Sequence, residues 1–140
     1  MVAPVRKTND AQDLFSVVDA LTRDMNLAAF ERSNISNAAG QNITAAQILG
    51  GYIERGGATT VSDALPTAAA VLALLPGMED HDCRLLIIRN ANTGTLTLTA
   101  GTNFTIVGTA TIATVTTAVY MMRKTSATAL TITRLIAAAY

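Results

Sequence analysis

The chain has 140 residues, one domain's worth and enough for a single hydrophobic core but not two. Lys plus Arg and Asp plus Glu both total 10, so the net charge is zero, which excludes the long-range positive field a nucleic-acid binder uses to collect phosphates. Half of the residues are apolar and only 14% are charged; that argues against wholesale disorder and for a surface partly hidden against further copies or a partner. One cysteine permits no internal disulfide and one histidine leaves little for catalysis, so the composition points away from enzymes, with no cofactor or metal expected.

No apolar segment follows the basic pair Arg6 and Lys7, so no targeting peptide is expected. The longest runs poor in polar residues, 64–75 and 135–140, are shorter than the roughly 20 residues of a bilayer-spanning helix. A soluble chain made inside the cell, with no membrane partner, is the expectation.

Residues 10–32 read as a helix. Asp10 is a good N-cap with Asp13 three residues on. Leu14, Val18, Leu21, Met25 and Ala28 then recur at helical spacing and make a narrow apolar stripe, with Asp13, Asp19, Arg23 and Asp24 off it. The stripe suits an ordinary amphipathic helix, a coiled-coil seam or a helix docked on a partner. Residues 33–46, rich in Asn, Ser, Ala and Gly, read as a linker or extended arm. The triplets at Asn34, Asn42 and Asn103 match the glycosylation pattern, by accident in a chain without a secretion signal.

Residues 48–55 read as a strand with a glycine bulge at Gly50-Gly51, ending at Gly56-Gly57. Residues 63–75 read as one helix, with Pro66 in its first turn and Pro76-Gly77 as its stop. The period then changes to two. Residues 84–90 are apolar on both parities, as in a strand buried on both faces. Strands near 95–99, 103–107, 109–115, 117–124 and 128–135 follow, separated by short turns, which suggests an antiparallel sandwich or barrel. All ten acids lie in residues 1–82, and fifteen of the twenty-one threonines lie between Thr93 and Thr133, so the two halves are built from different material. The expected organisation is an N-terminal helical arm and linker over 1–43, then over 44–140 a mainly β domain: an antiparallel, jelly-roll-like β-sandwich with one inserted short helix.

Candidate chemistry is sparse. Glu79, Asp80, His81, Asp82 and Cys83 are the one cluster of metal-capable side chains, but neighbours in a turn cannot all face one ion, and a solvated turn is the better reading. A ring of His81 side chains on an oligomer axis is the alternative. No nucleophile has a base and an orienting group in reach of its sequence pattern, and no phosphate-binding glycine loop occurs. Thr95, Thr97 and Thr99 share one face, as do Thr131 and Thr133, but without the constant period an ice-binding surface needs; threonine suits the wet face of a sheet.

One succession of short motifs is more specific. Ala45-Ala46-Gln47-Ile48-Leu49-Gly50-Gly51 is followed by Arg55, Asp63-Ala64-Leu65-Pro66-Thr67-Ala68-Ala69, Leu75-Pro76-Gly77, Ile88-Arg89-Asn90 and the TLTLTAG run of 95–101. Over about 44–134 this resembles a family of small tailed-bacteriophage virion proteins of the capsid decoration (cement) and head-fibre type. The resemblance implies a homotrimeric β-sandwich without catalytic residues, bound outside the head, where it bridges copies of the major capsid protein. The apolar runs of 85–88 and 119–122 exceed what one small sandwich can cover, so Leu86, Ile88, Tyr120 and Met122 are expected at a trimer interface. The stripe of Leu14, Val18, Leu21 and Met25 is expected to bind the capsid. A trimeric tail-fibre or baseplate module binding a host surface glycan is the alternative.

Overall fold

Strands make up about half of the structure, a computed structural model that describes residues 30–140. In chain order the elements are β1 (Glu31–Ile35), α1 (Ala45–Gly50), β2 (Gly51–Arg55), β3 (Val61–Ala64), α2 (Ala68–Ala73), β4 (Cys83–Asn90), β5 (Leu96–Thr99), β6 (Phe104–Val107), β7 (Thr111–Ile112), β8 (Thr116–Ser126) and β9 (Ala129–Ala139). They form a six-stranded sheet in the order β1-β2-β4-β8-β9-β6 and a three-stranded sheet in the order β3-β5-β7.

The expected mainly β architecture is present, but both sheets are mixed rather than antiparallel. β1 with β2, β2 with β4, β3 with β5 and β6 with β9 pair in parallel, and only β4 with β8, β8 with β9 and β5 with β7 are antiparallel. Parallel neighbours need a crossover rather than a tight turn. Helix α1 supplies one between β1 and β2, and β3 with α2 supplies the next between β2 and β4.

Two short helices replace the single one expected. The segment read as a glycine-bulged strand divides at Gly50/Gly51, because Thr44 and Gln47 form a capping box: Thr44 Oγ1 accepts from the Gln47 amide at 3.2 Å, and Gln47 Oε1 accepts from the Thr44 amide at 2.9 Å. Gly51 ends the helix at φ 79, where a Cβ would also stand 2.6 Å from the Phe30 ring. The helix expected over 63–75 contracts to α2, capped by Thr67. Asp63 belongs to β3 instead, with its carboxylate buried.

The N-terminal boundary also moves. Most of the helix expected over 10–32 lies outside the described residues, but its last two, Glu31 and Arg32, are in β1, an extended edge strand paired to β2. The expected linker over 33–46 is built into the domain: Ile35 and Ile43 are core residues, and the Ile43 amide donates to the Ala64 carbonyl at 2.8 Å. The folded unit therefore includes residues 31–43 and does not begin at 44.

One core serves both sheets. Ile53, Leu86, Ile88, Ala118, Tyr120, Met122, Leu130 and Ile132 come from the large sheet, and Val61, Leu96, Leu98 and Ile112 from the small one. Buried polar residues close one end of it, where Ile35, Arg55, Asn90 and Thr116 are successive register partners across β1, β2, β4 and β8. The Arg55 side chain is 0% exposed and its ion-pair partner Asp63 1%, with Nε 2.6 Å from Oδ2. The rest of the guanidinium donates to the carbonyls of Ile35, Asn37, Ala39 and Gly56, and Asp63 Oδ1 accepts from the Gln41 amide. Asn90 Nδ2 donates to the carbonyls of Gly94, Ile112 and Ala113.

Breaking this pair strands a buried charge. Asp63→Ala should cost about 3–5 kcal/mol in urea unfolding, against about 1 kcal/mol or less for Glu54→Ala, whose partners Arg32 and Arg89 reach solvent. Equal losses would show that the buried pair is no more important than the surface one.

Tyr120 is fully buried and its hydroxyl has no hydrogen-bond partner among the described residues. Burial raises its pKa above 10.0, the nearby Arg134 charge opposing. The folded state therefore holds the phenolic proton more tightly than the unfolded state, and stability present below pH 10 is lost as pH rises through the folded value. Tyr120→Phe should unfold at the same or slightly higher denaturant concentration at pH 7, and lose less stability between pH 9 and 11 than the parent.

Candidate functional site

Strand alternation gives the six-stranded sheet a second face, directed away from the core. Tyr52 of β2, Ile87 of β4, Val119 of β8 and Ile136 of β9 are successive register partners, so they form one apolar row across four strands. Leu85 and Met121 are paired in the next row. Leu85 is 48% exposed and Ile136 60%, against 1% for Leu86 on the inner face. Ile87, Val119 and Met121 are half-buried.

Part of the charge on this face is paired within the chain. Glu54, beside Tyr52 on β2, accepts from Arg32 at 2.8 Å and from Arg89 at 3.3 Å. The Arg89 guanidinium lies 3.9 Å from the centroid of the Tyr140 ring, a cation–π contact, and the Tyr140 hydroxyl donates to the Asn90 carbonyl. Hydrogen bonding to Tyr140, above all, raises the Arg89 pKa from its ordinary value. The result is an apolar strip bordered by ions that already have partners.

The residues expected at a trimer interface lie on the wrong side for it. Leu86, Ile88, Tyr120 and Met122 are core residues of the inner face. Their neighbours of opposite parity, Leu85, Ile87, Val119 and Met121, face outward instead. Strand β4 is thus buried on one face, not on both as expected. Charge does not settle the parity from sequence: Arg89 and Arg123 share it with those four residues, but Arg84 and Lys124 stand on the parity of the core residues. The four expected capsid contacts, Leu14, Val18, Leu21 and Met25, lie outside the described residues.

The cluster at 79–83 is organised by backbone. His81 takes φ 76 and its amide donates to the Lys124 carbonyl, while Asp82 accepts from the Glu79 amide and the Lys124 amine donates to the Met78 carbonyl. Cys83 is exposed between two shallow clefts, one beside Leu74 and Met78, the other beside Phe30 and Leu85. Among the described residues, no three His, Cys, Asp or Glu side chains gather as a metal site would require.

A scan against protein-family models matched none, and searches of curated proteins and of solved structures found no significant match.

The two faces predict opposite mutational outcomes. Leu86→Asp should unfold the domain, since it places a carboxylate in the core. Leu85→Asp should change stability by no more than about 0.5–1 kcal/mol and weaken self-association, read by light scattering coupled to gel filtration. Unfolding by both would show that the outer face is packed as tightly as the inner one.

Proposed function

We propose that the chain is a structural virion protein of the decoration or cement type, which assembles as a homotrimer and binds the outside of a tailed-phage head, contacting the major capsid protein. In this reading the two sheets are the facing layers of a sandwich around their common core, and the protein acts by covering surface rather than by catalysis. The motif succession from Ala45 to Gly101 motivates the phage assignment. The observation that carries the assembly part is the outward row of Tyr52, Ile87, Val119 and Ile136.

Area supports self-association. Six strands about 4.8 Å apart and up to 11 residues long make a face of roughly 700–800 Å², comparable to one side of a standard protein–protein interface. Burying its apolar row is worth about 25 cal/mol per Å² of apolar surface before the cost of association is subtracted. The paired ions around Glu54 can remain paired at the rim of such a contact, where they cost little desolvation.

Capsid attachment is assigned to the stripe of Leu14, Val18, Leu21 and Met25. Because residues 31–43 belong to the folded domain, the informative truncation removes residues 1–29 only. The full chain should bind purified undecorated heads of the parent phage saturably, by co-sedimentation. The truncated chain should remain a folded trimer and lose at least tenfold in affinity, and Leu21→Asp should weaken binding with the trimer intact. No binding of the full chain to heads, or binding to host cells instead, would overturn the decoration reading. Undiminished binding of the truncated chain would assign attachment to the β domain.

A further inference from the structure

Strand β9 has a neighbour on both sides only along part of its length. β6 pairs with it from Leu130 to Thr133, after which Gly108, at φ 91, turns the chain away. The Arg134 guanidinium covers the next step by donating to the carbonyls of Thr109 and Thr111 at 3.3 and 2.7 Å. Beyond that point, among the described residues, no strand lies along the outer side of residues 135–139, although β8 pairs with residues 136–139 on the inner side, Leu135 being the residue left out at a register shift.

The direction of the unpaired groups follows from alternation. The Tyr140 amide donates toward the β8 side, to the Val115 carbonyl at 3.1 Å. Residues one and three positions earlier, Ala139 and Ala137, therefore turn their N–H and C=O groups to the open edge. Natural edge strands are blunted by lysines, prolines, inward charges or a covering loop. Residues 135–140 carry no charge and no proline, and Leu135 and Ile136 are 54% and 60% exposed.

We infer that this edge is a strand-addition site whose occupant is the same edge of a second copy of this chain, paired antiparallel about a two-fold axis through Ala137. The composition selects the occupant. In that register Leu135 faces Ala139 and Ile136 faces Ala138 of the second copy, so each bulky side chain meets a small one. Ala137 meets its own symmetry mate. The outward backbone groups of Ala137 then pair with those of its symmetry mate, and those of Ala139 lie opposite Leu135 of the second copy. A segment without charge offers nothing to a charged partner and nothing that repels its own copy. The contact is isologous and closes at two copies, whatever stoichiometry the sheet face sets.

Hydrogen exchange on the full-length protein reads this directly. The amides of Ala137 and Ala139 should be protected at high protein concentration and lose at least tenfold of that protection on dilution through the association range. Ala139→Pro removes an outward N–H while sparing the groups that face β8, and should halve the mass of the assembled species without changing the circular dichroism spectrum. If that variant misfolds, Leu135→Lys, at an exposed position, should give the same halving. Fast exchange at both amides in the concentrated protein, or an unchanged mass in the folded variants, would overturn the inference. So would protection that appears only on phage heads, because the occupant would then be the capsid. Failure of the protein to bind heads would leave the concentration-dependent protection unaffected, so the two readings fail separately.

Discussion

A guanidinium cannot be taken out of water unless its charge is countered and its N–H groups are all engaged. In this domain Arg55 meets that demand with Asp63 and with carbonyls drawn from residues 35–39 and from Gly56. The demand shapes the structure around it. Strand β1 must run far enough to present the Ile35 carbonyl, the following loop must fold inward to present those of Asn37 and Ala39, and β3 must bring its carboxylate over the end of β2. The ion pair is therefore the point at which the large sheet, the small sheet and the segment after β1 are fixed relative to one another. Ser36 lies so close to Gly57 that any Cβ there would strike the Ser36 carbonyl, and Gly57 at φ 77 is suited to the turn in any case. The net stabilisation from such a pair is small, since desolvation offsets most of the attraction; what it contributes is the exclusion of other arrangements, each of which would leave the charge unpaired.

Asn90 extends the same constraint to the next strand. It is the register partner of Arg55, and its amide gathers three carbonyls from the β4–β5 turn and from the end of β7. With that end of the core fixed by directed hydrogen bonds, the remaining inner positions of the large sheet are free to be simply apolar. The outer face then follows from alternation along β2, β4 and β8, and the register shift between Val119 and Tyr120 turns Ile136 of β9 to the same side.

The strands after residue 83 were legible because period-two patterning and glycine turns act locally. Their partners were not: parallel pairing of β2 with β4, or of β6 with β9, depends on crossovers that leave no periodic trace. Face assignment failed where both parities were apolar, in β4 and β8, since hydrophobicity alone cannot tell core from covered surface. Charge does not arbitrate either, since β4 and β8 each carry one basic residue on each parity, Arg84 and Arg89 in one and Arg123 and Lys124 in the other. Both short helices are six residues long, less than two turns, too brief for a 3.6-residue period to declare itself. The capping box of Thr44 and Gln47 that starts α1 was not read, because the glycine pair beyond it suggested a bulged strand. Asp63 was read as a helix start because an isolated carboxylate rarely enters a core, and its partner Arg55 lies eight residues away on another sheet.

The outer face and the β9 edge are geometrically compatible. An antiparallel pairing in which Ile136 opposes Ala138 places opposed side chains on the same side, as in any continuous sheet, so its two-fold axis runs perpendicular to the sheet. The outer faces of both copies then look in one direction. Edge pairing would leave the apolar row uncovered: with Ile136 opposite Ala138, the row of Tyr52, Ile87, Val119 and Ile136 would run on into Ala138, Thr117 and Arg89 of the second copy. Face-to-face burial would remain available on the doubled surface. A chain with so little charge has few means of keeping such surfaces apart, and the tight pairing of Glu54 with both Arg32 and Arg89 removes charge that would otherwise repel a neighbour. Low charge, an edge that no described strand covers and an outward apolar row would each be a liability in an isolated monomer; in an assembling protein they are three parts of one interface chemistry.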